Sequence, residues 1–413
     1  MRNKIPELLA PAGSIESLRA AVNAGADAIY VGGAKFGARA YAENPEEADL
    51  IGGLRYAHRF GVRIHMTVNT LLKEAELQTL PDYIAPYYEA GLDAAIVQDL
   101  GALALLHEHF PLLSLHASTQ TTITGPHAAE LYRRLGVSRV IPARELSLEE
   151  LVRIKQETGL EVESFVHGAL CYAYSGQCFM SSLLGERSGN RGRCAQTCRL
   201  PYSLQRENQK SSGQGLLLSC KDLCSLDLIP MLAESGIDSL KIEGRMKSPR
   251  YTAGVVSIWR KYLDLYAREE AEGFQVEAAD RAHLLDLFDR GGQTEGYYRR
   301  HNGREMIVVQ EKKEKRKPNI PYEEEIEEKY LKTERELPLY GTFVQRDGEP
   351  MCLGLSASMR DKSVPKSRAK LPSGREQPGA RRRRCESGFR KPVARAFDLQ
   401  SWMSQSKKAF SFR

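Results

Sequence analysis

No run of about 18 apolar residues occurs anywhere in the 413 residues, so no membrane-spanning helix is expected. Residues 1–20 begin Met-Arg-Asn-Lys, and Pro6, Glu7 and Pro11 break up the apolar Leu8 and Leu9. No signal peptide is therefore expected, and a reducing, cytoplasmic setting argues against a disulfide framework. No Gly-x-Gly-x-x-Gly stands at a strand–helix turn, which leaves a dinucleotide-binding reading without its phosphate loop. A Gly-x-Ser-x-Gly elbow and a His-Glu-x-x-His helix are also missing, and with them two common hydrolase machineries. Basic charge is scarce where it would matter. Residues 361–413 hold 15 Lys and Arg against 4 Asp and Glu, a net of +11. The whole chain carries +6, so the other 360 residues carry the difference, −5. Any footprint for nucleic acid on this body must be local.

Cysteine, by contrast, is concentrated. Cys171, Cys178, Cys194 and Cys198 fall within 28 residues, spaced Cys-x6-Cys, fifteen residues, Cys-x3-Cys, with Gly168, Gly176, Gly185, Gly189 and Gly192 among them. Disulfides, a zinc site and an iron–sulfur cluster are the competing readings. Structural zinc prefers paired short knuckles, and only Cys194/Cys198 fits one. A cluster is larger than one ion and accepts thiolates from a wide, glycine-rich loop, so it is the favoured reading. Cys220 and Cys224 follow, and either could replace Cys198 as fourth ligand; Cys352 and Cys385 stand apart.

Short apolar segments alternate with helical ones through the first 250 residues. Strands are expected at 5–10, 28–32, 63–69, 94–98, 113–118, 139–141, 161–166 and 239–242. Helices are expected at 14–23, 45–60, 74–89 (broken near Pro81 and Pro86), 101–109, 126–135, 147–158 and 249–268. Ser14 is the expected first N-cap, with Ser17 three residues on. Eight strands in about 250 residues argue for a (β/α)8 barrel over an open doubly wound sheet. The cysteine loop then falls after strand seven, in an insertion of roughly 70 residues (about 167–238) that would sit over the barrel mouth.

The expected domains are a barrel over 1–270, a charged helical or linker segment over 271–335, and the start of a β-domain over 336–360. The last contains a strand pair at 337–355 turning at Arg346-Asp347-Gly348. Residues 361–413 lose apolar periodicity and read as a disordered basic tail or as sequence out of frame.

Barrel chemistry collects at the C-terminal strand ends. There the sequence offers Glu7, Tyr30, Asn69, Gln98, His116, Gln120, Arg144, Glu145, His167, Lys241, Glu243 and Arg245. Lys241, Glu243 and Arg245 alternate and so point the same way. His167 lies four residues before Cys171 and is the expected proton-transfer group, since imidazole titrates near neutrality. Its plainer role is to orient the cysteine loop through its backbone.

Glu163-Ser-Phe165-Val-His167-Gly168-Ala169-Leu170-Cys171 with Gly176-Gln-Cys178-Phe-Met180-Ser181 resembles the signature of the collagenase-like peptidase family of unassigned catalytic type, peptidase family U32. Glu7-Leu-Leu-Ala-Pro-Ala-Gly13, Gly25-Ala-Asp27-Ala-Ile-Tyr-Val31 and Lys241-Ile-Glu243-Gly-Arg245-Met-Lys-Ser-Pro249 are similar to its recurring blocks. The resemblance spans about residues 5–355 and points to its RNA-hydroxylase branch, whose members act on a tRNA uridine or a ribosomal RNA cytidine. It implies oxygen-independent hydroxylation, a [4Fe-4S] cluster on the cysteines, prephenate as the small-molecule hydroxyl donor, and RNA as partner. An oligomer of like or unlike chains is compatible with it. Arg144 and Arg245 would hold the two carboxylates of prephenate in bidentate pairs. Tyr172, Tyr174, Arg187, Arg191 and Arg193 would stack on an extruded base and hold phosphates. The competing functions are proteolysis by a Cys171 nucleophile paired with His167 and a non-catalytic redox or scaffold role.

Overall fold

The computed structural model describes residues 5–39, 42–205, 214–269, 274–299, 303–309, 319–333, 341–346 and 349–354. Seven strands come first: β1 (Glu7–Ala12), β2 (Ala28–Val31), β3 (Arg63–Val68), β4 (Ala94–Val97), β5 (Ser114–Ala117), β6 (Arg139–Val140) and β7 (Glu161–Gly168). The insertion then contributes β8 (Leu216–Cys220) and β9 (Asp222–Cys224) before β10 (Ser239–Ile242). Strands β1 to β7 pair in parallel in chain order, and β10 pairs in parallel with both β1 and β7. The sheet is thus a closed eight-stranded parallel barrel, as expected. Ser239 lies opposite both Glu7 and Glu163, which fixes the closing register.

Local signals set the helix ends. The Ser14 hydroxyl accepts from the Ser17 N–H at 3.2 Å, capping helix Ile15–Ala24. Ser147 and Glu150 form a reciprocal capping box at the start of helix Leu148–Thr158. The helix expected at 74–89 is interrupted at Gln78–Thr79, just before Pro81, and runs unbroken through Pro86. Pro81 sits in the first turn of Leu80–Glu89, where no N–H is missed, and Pro86 lies inside that helix. The long helix Pro249–Glu269 closes the ring and buries Trp259, Tyr262 and Tyr266. Truncating Trp259 to alanine would cost about 3–5 kcal/mol.

The insertion does cover the mouth. Gly168 (φ 102°) ends β7, and a Cβ there would meet the Glu243 carbonyl at 2.4 Å. Gly176 (φ 77°) presses on the loop after β5, where a Cβ would meet the Gln120 carbonyl at 2.3 Å. Only glycine allows both approaches. The far end of the insertion returns to the barrel wall as helix Ile229–Glu234.

The segment expected to be a linker is partly a flange. Two short strands, β11 (Gln293–Thr294) and β12 (Ile307–Val309), pair with β9 and β8. Tyr298, buried between them, donates to the Phe165 carbonyl at 2.7 Å. Runs of two and three residues are too short to register as strands by alternation. Helices Ala278–Leu287 and Ile320–Ile326 account for the helical part. The expected strand pair is Gly341–Arg346 with Glu349–Gly354, antiparallel, Arg346 opposite Glu349. The tail at 361–413 with Cys385, and Asp347-Gly348 of the expected turn, lie outside the described residues.

Candidate active site

Glu243, one residue past β10, gathers cations at the mouth. Its Oε1 accepts from Arg39 Nη2 at 3.0 Å, and Oε2 lies 3.6 Å from Arg144 Nη2. Burial alone would raise this carboxyl; Arg39 and Arg144 outweigh it and hold it at about 2. Glu243 is therefore an anion at working pH and serves to orient guanidiniums. Arg144, from the loop after β6, lies 4.2 Å over the Phe165 ring and donates to Cys171 Sγ at 3.6 Å. It joins the mouth to the cysteine loop.

Lys241 points inward from β10. Its Nζ donates to Glu163 Oε1 at 2.7 Å and lies 4.4 Å over the Tyr30 ring. Arg245 is buried; it donates to Thr67 Oγ1 at 2.6 Å and to Asn44 Oδ1 at 2.8 Å. Its Nε has no partner, and none of its ion pairs among the described residues is with a carboxylate. Burial, then the neighbouring Arg39 charge, lower it to about 10. The alternating trio thus converges on one region, but with three different sets of partners. Four cations (Arg39, Arg144, Lys241, Arg245) face two carboxylates (Glu163, Glu243), leaving an excess of positive charge.

His167 is placed otherwise than expected. Burial pushes its imidazole down to about 3, so the ring is neutral at working pH. Its ring stands 6.3 Å from Tyr251 and 6.4 Å from Trp259, and Nδ1 has no partner. Its carbonyl accepts from the Glu243 N–H at 2.8 Å. The backbone role fits this geometry.

Two rim assignments need correction. β1 runs two residues later than expected, so Glu7 opens it at the N-terminal end, opposite the mouth. There it accepts from Arg139 at 2.6 Å and Ser239 at 2.9 Å and also pairs with Arg63. His116 is in mid-barrel, where its ring meets that of His65 edge-on at 4.9 Å. Asn69, Gln98 and Gln120 do form part of the rim: Gln98 Nε2 donates to the Gln120 carbonyl and Gln120 Nε2 to the Asn69 carbonyl. Tyr30 donates to the Ile242 carbonyl at 2.9 Å, and Glu145 Oε2 is buried without a partner.

Arg39, Glu163, Arg139 and His65 were missed. Arg39 lies eight residues past β2, too far to be read as a strand end. The available signal was Gly32-Gly33 directly after β2, because a Cβ on Gly32 would strike Arg245 Nη2 at 2.1 Å.

The four cysteines are free thiols; Cys171 and Cys194 are exposed, Cys178 and Cys198 half-buried. Cys194 Sγ accepts from the Gln196 N–H at 3.4 Å and the Ser181 hydroxyl at 3.8 Å. Burial pushes the Cys198 thiol up against the opposing Arg199 charge, with Cys171, Cys194 and Cys178 adding to the rise. Cys198 therefore has the other three thiols for neighbours. Cys220, pushed up to about 11 by burial, also feels Cys171 and Cys198. Cys224, pushed to about 11 likewise, has Asp227, Arg281 and Glu295 as charged neighbours. An all-thiol donor set with N–H and O–H donors to sulfur suits a soft metal centre. Among the described residues no three cysteine sulfurs lie within 4.8 Å of one another.

The model of peptidase family U32 matches residues 13–307. The chain belongs to that family. This U32 chain is 38% identical over 281 residues to tRNA hydroxylation protein P1 of Bacillus subtilis, covering 66% of each. It is 41% identical over 280 residues to the 23S rRNA 5-hydroxycytidine synthase of Escherichia coli, covering 68% of this chain and 42% of that one. It is 32% identical over 344 residues to tRNA hydroxylation protein P of Escherichia coli, covering 72% of this chain and 75% of that one. The chain thus spans less than two thirds of the first two relatives. No described helix is long and apolar enough to cross a membrane.

Proposed function

We propose that this U32 chain is an RNA nucleobase hydroxylase that works without molecular oxygen. The observation that carries the reading is Arg144, which contacts both Cys171 and Glu243 and so sets the thiol group directly on a cation-lined barrel mouth. The names of the three relatives, for hydroxylation of tRNA or synthesis of hydroxycytidine in rRNA, supply the RNA class. Cys171, Cys178 and Cys194, with Cys198 as fourth and Cys220 as its alternate, would hold a [4Fe-4S] cluster. Bound there, such a cluster would supply one-electron redox chemistry.

The rest falls to the chain's own side chains. The uncompensated positive charge at the mouth suits a small dicarboxylate as hydroxyl donor, and prephenate is the specific proposal. Arg245 offers a guanidinium with no carboxylate of its own, and Arg144 offers a second held in place by Glu243. Lys241, braced by Glu163 and stacked over Tyr30, presents a fixed ammonium at the floor of the mouth. The tyrosine and arginine side chains of the lid would receive the RNA.

The peptidase reading lacks its dyad. The His167 ring is buried among aromatics, with no hydrogen bond to Cys171. Nucleoside mass spectrometry of total RNA from a strain lacking the gene tests the proposal. A nucleoside heavier by one oxygen should vanish, return with the wild-type gene, and fail to return with Cys171→Ala. An unchanged nucleoside profile would remove the hydroxylase reading.

A further inference from the structure

Among the described residues, exposed aromatic side chains are confined to one place. Among the described residues, the large apolar side chains left exposed include three aromatics: Tyr172, Tyr174 and Phe179, at 53%, 56% and 66% exposure. All three fall within eight residues, starting beside Cys171 and ending beside Cys178. The other aromatics described are buried or half-buried.

The segment that carries them is held in place. Ser175, directly after Tyr174, is buried. Its carbonyl accepts from Thr122 Oγ1 at 2.7 Å, and its hydroxyl accepts from the Arg144 N–H at 3.3 Å. Gln177 donates to Thr122 Oγ1 at 2.8 Å, and Gly176 lies flat on Gln120. The rings are thus displayed from an anchored loop, which lowers the ordering cost of binding.

Charge marks the same surface. Residues 169–205 hold four arginines and one acid, Glu186, in a body of net −5. Arg187 and Arg193 are exposed, and Arg191 reaches across to Glu76 at 2.6 Å. Flat rings beside arginines, on an otherwise acidic body, match unpaired bases and their phosphates. A duplex hides its base faces and would gain nothing from the rings. Leu183, Leu184, Leu200 and Leu204 are also exposed on this stretch and represent the rival occupant, another protein surface.

Resting on the RNA reading above, we infer that Tyr172, Tyr174 and Phe179 form a stacking platform for unpaired bases of single-stranded RNA, which delivers the target base to the mouth. The platform selects the structural context of the substrate, an unpaired stretch, and not its sequence.

The test uses anaerobically purified full-length protein. Fluorescence anisotropy measures binding of a short labelled single-stranded RNA and of the same strand annealed to its complement. The wild type should prefer the single strand. Tyr172→Ser with Phe179→Ser should weaken single-strand binding at least ~10-fold and leave duplex binding nearly unchanged. Arg187→Gln with Arg193→Gln should weaken both forms and flatten the salt dependence. Retained iron content and circular dichroism show that each variant is folded. Three results overturn the platform: equal affinity for the two RNA forms, single-strand binding that survives loss of the rings, or a self-association that the ring substitutions abolish. The first two leave the hydroxylase reading standing. Failure of the wild type to bind either RNA removes both.

Discussion

Arg144 Nη1 lies 3.6 Å from Cys171 Sγ, so a guanidinium faces the first thiol of the lid. Hydrogen bonds to ligand sulfur stabilise the reduced, more negative state of a thiolate-held centre and raise its potential. Arg144→Met should therefore retain iron while its reduction potential falls by on the order of tens of millivolts. A spectroscopic redox titration reads this directly. An unshifted potential would mean that the Arg144–Cys171 contact has no electronic role.

The cysteines separate into two groups by their surroundings. Cys171 and Cys178 neighbour the other thiols, whereas Cys224 is surrounded by Asp227, Arg281 and Glu295. Cys171→Ala and Cys178→Ala should lose iron and acid-labile sulfide and with them the brown colour. Cys224→Ala should keep all three. Wild-type iron in Cys178→Ala would break the assignment.

Glu163 has no exposed surface and accepts from both Lys241 (2.7 Å) and Arg139 (3.1 Å). Removing one partner of a buried ion pair strands the other charge, at a cost of about 3–5 kcal/mol. Glu163→Ala should lower the urea midpoint accordingly. Arg139 keeps Glu7 and Glu161, so adding Lys241→Met removes the one stranded cation and should restore part of the loss. A double variant no more stable than Glu163→Ala would place the damage elsewhere.

How much of this was legible follows from what each signal encodes. The barrel was readable because most strands are short apolar runs that alternate with helices, some with side-chain caps of their own, as at Ser14 and Ser147. The grouping of the thiols was visible in the sequence because four of them fall within 28 residues. Glu7 was misplaced because the apolar run shows where β1 lies but not which of its residues reaches the mouth: the strand runs on to Ala12, five residues beyond Glu7. Arg39, Arg139 and Glu163 stayed hidden for another reason. They are defined by partners 204, 132 and 78 residues away, and periodicity carries no pairing over such distances.

Acid should weaken the fold through three imidazoles. Burial lowers His65 to about 4 and His167 to about 3, and lowers His116 well below its ordinary value. An unfolded histidine titrates near ~6.5. Between these values the unfolded chain binds more protons, so stability rises with pH. This contribution is complete above ~6.5 and is lost as the pH falls toward 4 and below. Melting temperature should decline over that window, with His116→Phe flattening the slope. A slope unchanged in His116→Phe would assign the acid sensitivity to other groups.

Arg245 is the test of what the mouth is built to hold. Its guanidinium is buried with two neutral acceptors, Thr67 and Asn44, and with Arg39 nearby as a like charge. Such a charge costs stability in the resting protein, because no carboxylate is paired with it and the Glu243 charge offsets only part of the burial and the Arg39 repulsion. A protein keeps a group of that kind when function requires it. Arg245→Met removes the cost, though it also strips a donor from Thr67 and Asn44. The two effects oppose, and denaturant unfolding should show a net change within about 1.5 kcal/mol. Hydroxylation should nonetheless fall at least ~100-fold, because one carboxylate clamp on the donor is gone. Prephenate should raise the melting temperature of the wild type and not that of Arg245→Met. If it stabilises both equally, the donor is held elsewhere and Arg245 serves only the packing of Gly32 and Gly37.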